Sequence, residues 1–425
     1  MKHRLLSCVA IAAALSAVLL WPRDSGRASG PMPHDVYIWQ RAWTESLDDA
    51  ISEHAGDFAE LVALKAEVSW QDNQPRVVRV ALDYPSLRNA GRPISLALRI
   101  GAYSGPFNPD SERTHWLTEL AASILSEAQT NELDVAELQI DFDCAESKLE
   151  GYRVWVEAIR RRVAPVPVTI TALPSWLKRP AFKRLVAAAD GYVLQVHSLA
   201  RPRNPGAPFS LCDPAEARRA VEKAGRLGKP FRVALPTYGY IFAFDGRGQF
   251  AGISAEGPAK LWPDGTQLRE VRANPETMAQ LVADWKNDRP QGLTGVIWYR
   301  LPVASDSLNW SWPTLAAVMN GQVPRSDVRV ETHRPQPQLV EIDLVNAGPA
   351  DHAGSVHVGL SWHAARLVAA DGLHGFELNE SGPNSVRFTV QRALARLEAG
   401  QRRTIGWLRF DQDADVTVAL EQRSD

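Results

Sequence analysis

Cysteine is scarce in this 425-residue chain: Cys8, Cys144 and Cys212 are the only three, and no two of them form a C-x-x-C. H-E-x-x-H is absent and no His/Cys cluster occurs, so a zinc site is not expected. The Asp141-Phe142-Asp143 pair could hold Mg2+ or Ca2+ through oxygen ligands, but it lacks further clustered ligands, and no metal or cofactor is expected. Charge of one sign is missing too. The chain has 47 Lys and Arg against 49 Asp and Glu, a formal net charge of −2, with no basic stretch and no acidic tail. Nucleic acid is therefore not an expected partner. No Gly-rich phosphate loop follows the first apolar run, which argues against a dinucleotide-binding open sheet. Tryptophan, in contrast, is abundant at 14 residues. Several lie near predicted strand ends (Trp39, Trp43, Trp70, Trp176, Trp298, Trp310, Trp312), where an indole either fills the core or stacks on a sugar ring.

Residues 1–30 read as a targeting segment. Lys2, His3 and Arg4 precede an apolar run from Leu5 to Trp21, closed by Pro22-Arg23-Asp24. This is the pattern of a secretory signal or of a short uncleaved anchor. The run is near the minimum that spans a bilayer, so both a cleaved leader and an inner-membrane anchor stay open. Export is expected, to the periplasm or beyond. In the exported part, Cys144 and Cys212 either pair or remain two buried thiols.

From residue 34 onward, short apolar runs alternate with helical periodicity. Strands are predicted at Val36–Gln40, Glu60–Ala66, Ile94–Ile100, Glu137–Asp143, Val166–Ala172, Gly191–His197, Arg232–Pro236 and Gly295–Arg300. Helices are predicted at Ser111–Gln129, Leu149–Val163, Ala181–Ala189, Pro214–Gly228 and Pro275–Asp288, two of them announced by Asp213-Pro214 and Asn274-Pro275. Eight strand–helix repeats over residues 31–325 predict an α/β fold, a (β/α)8 TIM barrel. Residues 326–338, with Arg334-Pro335-Gln336-Pro337, read as an extended linker. Residues 339–425 then alternate apolar and polar positions between turn signals, as in a small all-β immunoglobulin-like sandwich.

The chemistry concentrates on Glu137-Leu138-Gln139-Ile140-Asp141-Phe142-Asp143-Cys144-Ala145-Glu146. Strand alternation puts Gln139, Asp141 and Asp143 on one face. In a barrel that face points inward and ends at the C-terminal mouth, where barrel enzymes keep their chemistry. Two carboxyl groups that close cannot both ionise freely, so one pKa rises, which suits acid–base work.

The same strand resembles the D-x-x-D-x-D-x-E strand of the chitinase-like glycoside hydrolases (family eighteen). Ala234-Leu235-Pro236-Thr237-Tyr238-Gly239-Tyr240 is similar to that family's seventh-strand P-x-Y-G run. Leu293-Thr294-Gly295-Val296-Ile297-Trp298 is similar to its eighth strand, where a Trp floors the sugar pocket. The opening Val36-Tyr37-Ile38-Trp39-Gln40-Arg41 with the I-D-F-D strand also resembles an uncharacterised bacterial domain family. With Asp141 and Asp143 taken as the last two aspartates of the chitinase pattern, Ala145 stands at its acid Glu, and Glu146 comes one residue late.

These readings give a set of candidates. Asp143 is the central acid, Asp141 tunes it, and Glu67 or Glu146 is the second carboxylate. Lys65 and Glu67 share a face, so an internal ion pair is the competing role for Glu67. Trp298 with Trp39 or Trp70 would stack a sugar, while Gln195, His197 and Tyr238 would position its hydroxyls. Arg300 or Arg99 would neutralise the acids. The expected function is an exported glycoside hydrolase acting on a polysaccharide or oligosaccharide. The alternative is a non-catalytic glycan-binding protein on a decayed glycosidase barrel, which Ala145 favours.

Overall fold

The computed structural model describes residues 27–71, 74–197, 201–255, 261–352, 356–390 and 396–422. Most of the expected targeting segment, residues 1–26, lies outside the described residues. Eight parallel strands follow: β1 (His34–Ile38), β2 (Leu61–Gln71), β3 (Ile94–Ile100), β4 (Val135–Phe142), β5 (Val168–Ala172), β6 (Gly191–Gln195), β7 (Phe231–Pro236) and β8 (Leu293–Tyr299). Each pairs with its neighbour in sequence, and β8 pairs back to β1 with Trp298 opposite Val36, closing the barrel. Each strand is followed by a helix. These are α1 (Glu45–His54), α2 (Tyr84–Asn89), α3 (Glu112–Thr130), α4 (Leu149–Val163), α5 (Pro180–Ala188), α6 (Pro214–Gly225), α7 (Pro275–Asn287) and α8 (Trp312–Met319).

The local chemistry explains these boundaries. Asp213 and Asn274 accept from the backbone N–H of Glu216 and Thr277, with Pro in the first turn of α6 and α7, as expected. The strands are buried on both sides, which a parallel sheet under helices requires. Along β1, Val36 and Ile38 face the helical layer, whereas Tyr37 faces the barrel axis with Val62, Ala97, Val193, Ala234 and Ile297.

Two additions build up the C-terminal side of the barrel. β2 runs on past its partners and pairs antiparallel with Gln74–Arg79, and a three-stranded sheet of Gly239–Phe244, Phe250–Ser254 and Gln267–Arg272 is inserted between β7 and α7. At the opposite end, Arg27–Ala28 pairs with Arg289–Pro290 beneath the barrel.

Beyond the barrel, two four-stranded antiparallel sheets share one core of Val340, Ile342, Leu344, Val358, Leu360, Trp362, Phe388, Ile405 and Leu408. The stretch expected as a linker, 326–338, is corrected: Val328–Gln336 is a strand, hydrogen-bonded to Leu339–Asn346. Pro335 within it and Pro337 just after it hid it. Pro335 has no N–H for a ladder, but this strand lies at the sheet edge and pairs on one side only, and its register slips between His333 and Gln336. Cys144 and Cys212 are both free and buried, so the unpaired alternative holds.

Candidate active site at the C-terminal mouth

Strand β4 sends four polar side chains down the barrel axis: Glu137 near the base, Gln139 in the middle, Asp141 above it, and Asp143 just past the strand end. Gln139 is locked. It accepts from Tyr37 Oη at 2.8 Å and donates to Glu137 Oε1 at 2.6 Å. Asp141 is buried and accepts from Thr171 Oγ1 of β5 at 2.7 Å. On its other side stands Arg99, its register partner on β3, with Nε 3.7 Å from Asp141 Oδ2.

Glu67 is in turn the register partner of Arg99 on β2, and accepts from Arg99 Nη1 at 3.1 Å. Arg41, in the loop after β1, grips Glu67 through Nε at 2.6 Å and Nη2 at 2.9 Å. Five consecutive barrel positions thus set Arg41, Glu67, Arg99, Asp141 and Thr171 side by side, with charges alternating in sign from Arg41 to Asp141.

The environments of these acids differ. Desolvation raises Asp141 above the ordinary carboxylate range, and Arg99 and Thr171 oppose the rise. Asp143 is pushed up to about 6, first by desolvation and then by the neighbouring Asp141 charge, against the pull of Arg99. Asp143 is nevertheless exposed to solvent. For Glu67 burial also acts upward, but its two guanidinium partners outweigh it and hold the carboxyl below its usual range.

The far wall is aromatic and uncharged. Tyr299 of β8 lies at its centre, 5.4 Å from Trp39, 5.9 Å from Tyr37, 5.4 Å from Tyr238 and 5.5 Å from His197, measured between ring centroids. Tyr240 donates to Tyr238 Oη, which lies 3.1 Å from His197 Nδ1. Burial lowers the His197 pKa to about 4, so the ring is neutral at physiological pH. Gln195, at the end of β6, is half-buried and paired in the ladder with Ala234 of β7. Tyr238→Phe is expected to destabilise the fold by about 1–2 kcal/mol, because His197 Nδ1 loses its partner in a buried setting. Chemical denaturation reads this directly.

Several expectations are corrected here. Trp298 does not floor the mouth. It faces the helical layer, stacked on His34 at 5.9 Å and 6.1 Å from Trp310, because β8 turns Ile297 and Tyr299 inward and Val296 and Trp298 outward. Trp70 packs instead with Tyr103, Trp116 and Trp155. Arg300 is buried against Asp306 and Ala255, so Arg99 is the cation beside the acids. Glu146 lies on a turn beyond β4, ion-paired with Arg179, and does not join the other acids. Lys65 binds Glu127 of α3 at 2.6 Å and the Val80 carbonyl, so it is not the partner of Glu67. Asp141, Asp143 and Glu67 are brought together. Gln195 and His197 are half-buried at the same end of the barrel, where Trp39 and Tyr238 are buried against Tyr299 and present no free face. Among the residues missed, Tyr299 and Thr171 carried a legible signal, the two-residue alternation along β8 and β5.

A second polar cluster occupies the base. Arg232 of β7 binds Asp35 at 3.1 Å, Glu60 at 2.8 Å and Glu137, beside a cavity of about 440 Å³ lined also by Pro33 and Gly295. This end of the barrel lies opposite the mouth.

Fold and site together define a (β/α)8 barrel with a carboxylate pair at the C-terminal end of its fourth strand. The chain belongs to the family described as Domain of unknown function (DUF3142), whose model matches residues 90–304. Residues 329–411 match a second model, Domain of unknown function (DUF8456). No curated protein matches the sequence. Among solved structures, the spore cortex-lytic enzyme SleL of Bacillus cereus is similar at 13% identity, with 69% of this chain and 75% of that one covered and a TM-score of 0.49. A chitinase from Chromobacterium violaceum is similar at 15% identity, covering 68% and 98%, with a TM-score of 0.46. The chitinase ChiB of Flavobacterium johnsoniae is similar at 13%, covering 69% and 94%, with a TM-score of 0.45.

Proposed function

We propose that this chain is a glycoside hydrolase that cleaves a polysaccharide or oligosaccharide with Asp143 as proton donor. The observation that carries the reading is the asymmetry of the pair. Asp141 is buried and fixed by Thr171 and Arg99, while Asp143 is open to the mouth with its pKa raised to about 6. An acid poised near the working pH is what protonation of a leaving glycosidic oxygen calls for. As the C–O bond breaks, its electron pair stays on the leaving oxygen and takes the Asp143 proton; water then adds to the carbon left positive and gives a proton back to Asp143. Asp141, fixed beside Asp143 by Thr171 and Arg99, is the carboxyl available to offset the positive charge that develops on that carbon.

The register of the resemblance supports this assignment. Sliding the D-x-x-D-x-D-x-E pattern two residues toward the N-terminus sets Gln139 and Asp141 at its last two aspartates and Asp143 at its terminal Glu. Ala145 then needs no role. Glu67 is clamped by two arginines and Glu146 is paired elsewhere, so neither serves as a second catalytic carboxylate. Tyr299, half-buried and packed against the buried Trp39, offers the aromatic surface for a sugar ring.

We place the protein outside the cytoplasm on the strength of the basic–apolar start of residues 1–30. Arg27–Ala28, just after that start, is paired with Arg289–Pro290 at the barrel base.

The test is incubation of purified full-length protein with chitin oligosaccharides, peptidoglycan and plant polysaccharides, followed by assay of new reducing ends. Products from one class establish hydrolysis. Binding by calorimetry with no products on any substrate overturns it in favour of the glycan-binding alternative.

A further inference from the structure

The row Arg41–Glu67–Arg99–Asp141 contains one cation that two acids share. Arg99 gives Nη1 to Glu67 at 3.1 Å and turns Nε toward Asp141 at 3.7 Å, a distance too long for a direct hydrogen bond. Glu67 is itself held from behind by the two-toothed Arg41 contact, so it cannot swing toward the acids or away from them. Register enforces the order, because Glu67, Arg99 and Asp141 are direct cross-strand partners on three adjacent strands. Any strengthening of one contact of Arg99 weakens the other.

We propose that Glu67, braced by Arg41, is a positioning residue that draws Arg99 partly off the Asp141–Asp143 pair and so keeps a proton on the pair in the range where the acid works. Glu67 touches neither substrate nor the reacting atoms in this arrangement. It acts through Arg99. The role differs from that of a second catalytic carboxylate, and it accounts for an ionised glutamate clamped by two arginines beside a pair of acids that needs a proton.

The groups that face Asp143 are few. Asp141 and Arg99 lie beside it, Cys144 follows it in the chain, and Tyr152 approaches from α4. Burial pushes the Cys144 thiol up to about 12 and holds Tyr152 well above its usual range, so both keep their protons. His197, on the other wall, is held neutral by burial, and Tyr299 of the same wall interacts electrostatically with Arg99. What changes near pH 6 is the carboxyl pair, which titrates as a unit.

The experiment is a carboxyl-carbon NMR titration of the full chain as wild type, Glu67→Gln, Arg99→Gln and the double variant. Glu67→Gln releases Arg99 to the acids and is expected to lower the upper midpoint of the pair by about one pH unit. Arg99→Gln raises it. In the Arg99→Gln background the effect of Glu67→Gln should collapse to a small remainder, because the relay is gone. An equal shift in both backgrounds means that Glu67 acts by direct Coulomb interaction, and overturns the proposal. Glu67→Asp keeps the charge and should leave the midpoint near wild type, which separates relay from misfolding.

The proposal rests on the reading of Asp143 as the acid only for its kinetic consequence, a parallel shift in the alkaline limb of kcat/KM. The titration itself needs no turnover, so a protein that hydrolyses nothing refutes the proposed function while the relay stands or falls by its own midpoints.

Discussion

Asp143→Asn is expected to cut turnover by roughly 10²–10⁴-fold while leaving the fold intact. Asparagine keeps the shape of the side chain and removes the transferable proton. In the wild type the reactive form is the protonated one, present below about pH 6. The alkaline limb of activity should therefore fall with a midpoint near that value, and in Asp143→Asn the residual rate should lose that limb.

The effect on stability has a defined sign. The folded-state pKa of Asp143 lies above its ordinary 3.8, so its ionisation opposes folding progressively as pH rises through about 6. Asparagine removes that opposition, and the variant should melt no lower than wild type at pH 8. A large loss of stability in Asp143→Asn would mean that the residue is structural. Unchanged turnover would remove it from the chemistry, and Asp141→Asn would then be the variant to assay.

The second large effect belongs to the base of the barrel. Arg232→Gln should cost roughly 3–5 kcal/mol at pH 8, because it leaves Asp35, Glu60 and Glu137 without their shared cation. In the wild type Glu60 is raised to about 7 from an ordinary 4.5, by desolvation first, with Arg232 opposing. The folded protein thus binds more protons than the unfolded chain between these values, and stability falls as pH rises across that window. Without Arg232 the folded-state pKa values climb further and the fall steepens. Denaturation at pH 5 and pH 8 should therefore show a smaller loss at pH 5. Equal losses at both would mean that Arg232 contributes through its packed stem rather than its charge.

How much of this was legible can be judged from particular residues. Alternation along Glu137–Asp143 is local, and it placed Gln139, Asp141 and Asp143 on one inward face. The Asp-Pro and Asn-Pro helix starts were legible for the same reason, since a cap and its N–H lie three residues apart. Phase was harder. A one-residue slip in β8 exchanges Trp298 for Tyr299, and the aromatic content of the strand reads the same either way. The strand Val328–Gln336 was masked by Pro335, which an edge position tolerates, and by Pro337 just beyond it.

The sequence by itself determined the order of strands and helices, the closure expected of eight such repeats, and the two carboxylates at the end of the fourth strand. Burial periodicity and caps act within a few residues, so a single segment suffices to reveal them. Only the tertiary structure decided what each charge does. Arg99 rather than Arg300 meets the acids, Glu67 is clamped rather than catalytic, and Glu146 leaves the site for Arg179. A pKa is set by charges within a few ångströms. Here those charges come from the loop after β1, from β2 and from β3, which the closed barrel alone makes neighbours of β4.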